Sequence, residues 1–532
     1  MRILQVSIVL MGWVINAYSQ DYVDVTINYD KTEIVSAYRP GVTHTQNSLD
    51  AWKNSQAVSD AKVLLQNSVV FQNQHIMGWG TMNPWPDSSV INPAAWNWAS
   101  LDARINLIRE TNGTPVITLC GCPTWMHTPS LNGTTEWGAS LEKAPTVPHF
   151  DDFAHLCAEV ARRYPDVRYY QVWNELKGFW NTSLNRWRYE DYTAMYNLVY
   201  DSLKNVNPSI KVGGPYPVVS TYSVQKSFTS NLGGVYGFYD KRPLDVIQYW
   251  LAHKKGADFL CVDGKLRNKD DIANCNSFKS ADKFTDILSW LKQQLVSENF
   301  SEIWWSEWYA SPGPAEPQDN NAFNNAVMAS ALIKTIKGGS SVVLVWQPEG
   351  DNAGLSFPTG IWTSTVNAGG GKPTPYYYTS KILKDNFSAG VTIVSSDANS
   401  DNISVLASAD KVMLVNQAGS SINARLNKNT IVALLPWEVK LVDAPPPLSA
   451  VEPGIKIYYS DNDRTLYVKN LQGDRGEIRY SIVNEAGGVV KNGQDTVLTD
   501  YSIKLGSLYQ GIYIYRITYD DQAFSNKFVV IR

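Results

Sequence analysis

"FDDFAHLCAEVARRYPDVRYYQVWNELKGFW", residues 150–180, changes its texture twice. From Phe150 to Tyr164 apolar residues return at steps of three and four, the period of a helix with one buried face. Beyond Pro165 and Asp166 comes a β-prone run, "VRYYQVWNE" from 167, which ends on Asn174 and Glu175 and is followed by more aromatics. A helix that feeds a strand is one step of an alternating α/β chain, and the same phrase recurs from residue 40 to residue 346. The other strand-like runs are "GVTHT" at 41, "VVFQNQHIM" at 69, "TPVITLC" at 114, "IKVGGP" at 210, "ADFLCVD" at 257, "SEIWWSEW" at 301 and "SVVLVWQ" at 341. Amphipathic stretches such as "SLDARINLIRE" at 100, "YEDYTAMYNLVYDSLKNV" at 189 and "DKFTDILSWLKQQL" at 282 separate them. Eight such units predict a closed (β/α)8 TIM barrel. An open doubly wound sheet would carry a glycine-rich phosphate turn after its first strand, and none is present.

Outside the barrel the texture is different. "MRILQVSIVLMGWVINAYSQ" has a basic residue, a short apolar core and Ala17-Tyr18-Ser19, so residues 1–19 read as a secretory signal peptide. The catalytic barrel is assigned to 20–387, with the strand-like "YVDVTINYD" shared with an accessory β-sandwich over 388–443. There short alternating runs such as "ISVLASADKVMLVNQ" replace the helices. "DAPPPLSAVEPG" is a proline-rich linker, bounded as 444–454, and 455–532 forms a C-terminal all-β domain.

The chain has 532 residues and a net charge of -4, with no basic stripe, which excludes a nucleic-acid partner on electrostatic grounds. No later apolar run reaches the length of a membrane span. The five cysteines are no disulfide scaffold; Cys261 and Cys275 are a candidate pair, and Cys120 and Cys122 read as buried strand thiols, since no metal-ligand partners follow at zinc-site spacing. "DANSD" at 397–401 lacks the glycine and terminal glutamate of a calcium loop and reads as a turn. No cofactor and no metal are expected.

The chemistry is expected at the strand ends, because the C-terminal face of a barrel is its active face. Strict alternation places Glu175 on one face with Trp173 and Gln171, places Glu307 with Trp305 and Ile303, and turns Asn174 away unless the strand bulges. Two carboxyl groups across one cavity suit hydrolysis of a glycosidic bond. One protonates the departing oxygen while the other attacks the anomeric carbon. Trp79, Trp85, Trp125, Trp180, Trp308, Trp346 and Trp362 fall at strand ends or in the following loops, where two or three of them can offer flat faces to sugar rings. Apolar walls should raise the titration of the acid, Glu175, to 6 or above. His44 after the first strand and His127 in "CPTWMHT" are candidates for hydroxyl contacts.

"YYQVWNELKGFW", "VNPSIKVGGP" at 206–215 and "IWWSEW" together resemble the retaining (β/α)8 glycoside hydrolase clan, most nearly glycoside hydrolase family 39. That likeness implies a general acid/base at Glu175, a sugar 2-hydroxyl contact at Asn174 and a nucleophile at Glu307. It departs at Leu176, where the family has proline, and at "FLCVDGKLRNKDD", which offers Asp263, Lys265 and Arg267 in place of an aromatic or histidine partner. The substrate-binding set expected is Asn174, Trp125, His127, Trp305, Trp346, His44 and Lys265. The tail, "YSIKLGSLYQGIYIYRI" followed by "SNKFVVIR", resembles the sorting domain of proteins exported by type IX secretion. It implies secretion machinery as a partner and a secreted or cell-surface product. The expected protein is a secreted hydrolase of a polysaccharide or oligosaccharide; the alternative is a glycan-binding surface protein that has lost turnover.

Overall fold

The computed structural model describes residues 22–45, 48–135, 137–317, 321–349, 360–446, 456–469, 476–497, 500–519 and 522–530; the signal-like residues 1–19 and the linker residues 447–454 lie outside these. The eight β-prone runs close into one parallel barrel. Its strands are β1 Arg39–Thr43, β2 Phe71–His75, β3 Thr114–Leu119, β4 Tyr169–Val172, β5 Lys211–Val218, β6 Phe259–Lys265, β7 Ile303–Tyr309 and β8 Val342–Trp346, with β8 beside β1 and β5 beside β6.

Inward side chains fill the barrel in layers. Phe71, Val116, Phe259, Trp304, Val342 and Leu344 make an apolar floor. Above it lies a polar ring in which each buried group has a partner. Asn73 Nδ2 donates to Thr43 Oγ1 at 3.1 Å, Thr118 Oγ1 to Asn73 Oδ1 at 2.8 Å, Gln171 Nε2 to Thr118 Oγ1 at 3.1 Å, and Ser306 Oγ to Gln171 Oε1. Helices coat the outside. Phe150–Arg163 buries Phe150, Phe153, Leu156, Cys157 and Val160 against the strands; Asp151 and Asp152 stand in its first turn and Arg162 and Arg163 in its last, matching the helix dipole.

The N-terminal strand Tyr22–Val35 pairs antiparallel with Thr392–Ala398 and parallel with Ile422–Leu426, within a seven-stranded sheet. Val432 and Leu434 of one edge strand share a core with Val412 and Leu414 from near the other edge, so the sheet folds over its own apolar face. Residues 448–532 form a second compact unit. There a three-stranded and a four-stranded sheet enclose Leu466, Val468, Ile478, Ile482 and Ile517.

All five cysteines are free. Cys261 and Cys275 are not a pair: Cys261 Sγ meets Gln171 Oε1 inside the barrel, and Cys275 Sγ meets Ser280 Oγ. Among the described residues no helix is long and apolar enough to cross a membrane.

Candidate active site

Glu307 reaches the barrel mouth because β7 is bulged. Its pairing slips between Val262 and Asp263 on the β6 side and between Trp305 and Trp308 on the β8 side. Ser306 and Glu307 therefore both turn inward. Trp305 does not share the face of Glu307, as strict alternation would have it; with Trp308 it points outward, 5.3 and 5.4 Å from the Phe284 ring of helix Asp282–Gln294. Trp305 is thus packing between strand and helix and cannot bind substrate.

The turn after β4 performs the same re-aiming by other means. Trp173, Glu175 and Leu176 have φ of 71°, 49° and 50°, a left-handed run outside the strand. Trp173 consequently leaves the barrel interior for Phe153 and Phe179, and its Nε1 donates to the Lys177 carbonyl at 2.8 Å. Asn174 and Glu175 both reach the cavity. Leu176 explains the missing proline, because a pyrrolidine ring locks φ near −65° and cannot adopt this conformation.

Three carboxyl groups meet here. Oxygens of Glu175, Asp263 and Glu307 all lie within 4.8 Å of one another. Glu307 accepts hydrogen bonds from Tyr216 Oη at 3.2 Å, from Asn174 Nδ2 at 3.3 Å and from Tyr309 Oη. Lys177 Nζ pairs with Glu175 Oε2 and donates to Asn174 Oδ1 at 3.2 Å. Burial and the nearby Glu175 charge push Glu307 up to about 7. Asp263, fully enclosed and facing both glutamates, is pushed well above the carboxylate range. Burial also raises Glu175, but the hydrogen bond to Asp263 and the Lys177 charge outweigh it and the net direction is down. The expectation of a high Glu175 is therefore corrected: Lys177, unremarked in the sequence, supplies the counter-charge, and the raised groups are Glu307 and Asp263. Three carboxyls at this spacing with one lysine hold a shared proton more readily than three full charges.

His75, at the end of β2, is buried beside this cluster, and neither ring nitrogen has a hydrogen-bond partner among the described residues. Its ring lies 4.4 Å from that of Trp79, and Lys177 Nζ lies 5.5 Å over the Trp79 ring. A buried polar group without a partner fits a ligand hydroxyl. Trp79 and Trp137 line a cavity of about 590 Å³ that includes Lys177. On the other side of Lys177, Glu175, Trp180, Trp187 and Lys265 line a second cavity, of about 610 Å³. Trp346 stands behind Tyr309 with ring centroids 5.8 Å apart.

The remaining expected contacts are elsewhere. Trp125 donates from Nε1 to the Trp85 carbonyl at 3.0 Å and packs edge-on to Trp85 inside an aromatic cluster with Trp96. His44 is buried, with Nδ1 on Ser48 Oγ and Nε2 on Gln72 Oε1, and desolvation lowers it to about 4. His127 spends its two nitrogens on Thr128 and Ser140. All three have their polar ring atoms engaged within the protein. Trp308 and Trp362 are fully buried. The aromatic side chains lining the two cavities are Trp79, Trp137, Trp180, Trp187 and Tyr222, of which the sequence reading had singled out Trp79 and Trp180. Tyr216, Tyr309, Lys177 and His75 were missed by the sequence reading. Tyr309 had a signal, two residues beyond Glu307 on the same strand; Tyr216 and Lys177 depend on turns that no periodicity shows.

The strands thus form a closed parallel barrel in which Glu175, in the turn after β4, and Glu307, on β7, face each other. No family model matches the chain. A beta-xylosidase from Caldicellulosiruptor saccharolyticus is 22% identical over 256 residues, 47% of this chain and 46% of that protein, so the match spans about half the length of that relative. Among solved structures, SrfJ from Salmonella typhimurium aligns with a TM-score of 0.54 at 10% identity, covering 79% of this chain and 92% of that one. The GH39 enzyme from Xanthomonas axonopodis pv. citri aligns with a TM-score of 0.49 at 13% identity, over 92% and 97% of the two chains. The likeness to SrfJ is one of fold.

Proposed function

We propose that this chain is a secreted retaining glycoside hydrolase that cleaves an extracellular polysaccharide or oligosaccharide by double displacement. The observation that carries this reading is the approach of Glu175 and Glu307 oxygens to within 4.8 Å. Retaining enzymes hold their carboxyl groups about 5 to 5.5 Å apart, and inverting ones need about 6.5 Å or more to admit a water. In the first step a Glu307 oxygen attacks the anomeric carbon as the glycosidic C–O bond breaks, and Glu175 delivers a proton to the departing oxygen. In the second, Glu175 takes a proton from water, whose oxygen attacks the same carbon and releases Glu307. Asp263, whose carboxyl burial and the two glutamate charges push well above the ordinary range, is the neighbouring group from which Glu175 can take up its proton. Tyr309, Tyr216 and Asn174 hold Glu307 in line and share its charge. The secretory signal reading of residues 1–19 and the sorting-domain likeness of the tail support export to the medium or the cell surface.

One observation favours the second reading, glycan binding without turnover: Lys177 pairs with Glu175 and draws its titration down. Kinetics separate the two. Glu175→Gln should slow substrates with poor leaving groups by orders of magnitude, spare activated aryl glycosides, and respond to azide, which attacks the glycosyl-enzyme. Glu307→Gln should disable both substrate types, and NMR of early wild-type products should show the starting anomer. Inverted products would end the double-displacement reading. A wild-type chain that binds glycans and turns over none would establish the second one.

A further inference from the structure

The cavity beyond Glu175 is built differently from an ordinary neutral-sugar cleft. It has a volume of about 610 Å³ and touches Glu175 but not Glu307, which places it on the side where the leaving group departs. Two of its four cations are committed. Lys177 is paired with Glu175, and Arg242 grips Asp240 through Nε and Nη2 at 2.9 and 2.7 Å. The other two, Lys265 and Lys269, have no ion pair among the described residues, although both line the same cavity. Glu142, at the junction with the Trp79 cavity, is the one acid there without a cation beside it.

The loop carrying these two lysines is held from below. Buried Lys283 donates from Nζ to the Leu266 carbonyl at 2.6 Å, Thr221 Oγ1 at 2.8 Å and Asn268 Oδ1 at 3.3 Å. That fixes the backbone between Lys265 and Lys269 before any ligand arrives. An aromatic platform shares the cavity. Arg242 covers Trp180 at 5.2 Å and Trp187 meets its ring edge-on, yet Trp180 remains 40% exposed. An exposed indole beside two ammonium groups that feel the cavity's carboxylates only at a distance and form no ion pair matches a ring that carries a negative charge.

We propose that this cavity is a leaving-side subsite for an acidic sugar, in which Lys265 and Lys269 bind a carboxylate or sulfate while Trp180 stacks against the ring. The inference rests on the hydrolase reading for which side is which, but its test reads binding alone. The full chain carrying Glu307→Gln is titrated calorimetrically with glucuronoxylan and polygalacturonate oligosaccharides, their carboxyl-reduced counterparts, and O-sulfated neutral xylo-oligosaccharides. At least tenfold tighter binding of a charged probe than of its neutral counterpart is expected, shrinking as salt rises. Lys265→Gln/Lys269→Gln should erase that preference, leave binding of the neutral probes unchanged and keep the wild-type melting temperature. The uronate and sulfate arms show which anion is read. Equal binding of charged and neutral probes, or a preference that persists in the double variant, overturns the subsite. If the preference is seen while the wild-type chain hydrolyses none of the probes or other glycosides, the subsite stands and the hydrolase reading falls.

Discussion

Glu307 stores folding free energy in its proton. The folded side chain is pushed up to about 7 from an ordinary 4.5, chiefly by burial and then by the Glu175 charge. Between those values the native chain keeps a proton that the unfolded chain has released, so stability is full below pH 4.5 and declines as pH rises through 7, by about 3 kcal/mol from this group. Glu307→Gln carries no charge at any pH. The variant should therefore melt above the wild type at pH 8, with the difference fading as pH falls toward 4.5; thermal scans at both ends check it, and a variant that melts below the wild type at pH 8 contradicts the assigned environment. Activity should show two limbs. Glu307 attacks only as the carboxylate, so turnover should rise as pH climbs through about 7, and it should fall again where Asp263 gives up the proton that Glu175 needs for the leaving group. Asp263→Asn, which removes the neutral acid facing Glu175, should move that alkaline limb as well as lower kcat. An unmoved limb would make Asp263 a mere wall of the pocket.

The elements show where the pattern of residues suffices and where it does not. Each β-run is short, bounded by turn residues and followed by a helix of one-sided apolar period, so the eight strands and their order are legible in composition alone. So is the pairing of Glu175 with Glu307, because both close strands on the active face. What alternation cannot reveal is a change of phase. The bulge in β7 turns Glu307 inward beside Ser306 and leaves Trp305 on the outer face, and the left-handed residues after β4 send Trp173 outward while bringing in Asn174 and Lys177. Neither leaves a mark in the period, so Trp305 was misplaced and Lys177 overlooked. His44, His127 and Trp125 illustrate another limit: sequence shows a polar atom but not the neighbour that satisfies it. The β4 turn is itself testable. Gly178 has φ of 79°, and a Cβ there would stand 2.2 Å from the Ala144 backbone nitrogen. Gly178→Ala and Leu176→Pro should each tilt Glu175 and cost more than tenfold in kcat, the proline change also lowering stability by about 3 kcal/mol. Unchanged activity in both would mean that this turn does not aim the acid.

On the scale of the whole molecule the chain divides into two units, with the boundary at Pro447 and Leu448. Each has its own core, Ile478, Ile482 and Ile517 in the second, so neither needs the other to bury its apolar side chains. The position of the cut matters. Tyr29 Oη donates to the Pro445 carbonyl at 2.6 Å and Asn427 Nδ2 to the Pro446 carbonyl at 3.2 Å, so the first proline residues of the linker still belong to the first unit, pinning the N-terminal strand and the folded-over sheet. A chain ending at residue 447 should retain the full-length kcat/KM on any glycoside that the full chain proves to cleave and the same upper melting transition. One ending at residue 443 should keep the barrel but melt a few degrees lower, having lost both anchors. In a host with the matching export machinery, the shorter chains should fail to reach the cell surface while the full chain is delivered there. Calorimetry of the full chain should show two transitions, one of which disappears on truncation. A single shared transition, or activity lost with residues 448–532, would mean that the tail is a working part of the catalytic unit and not its address.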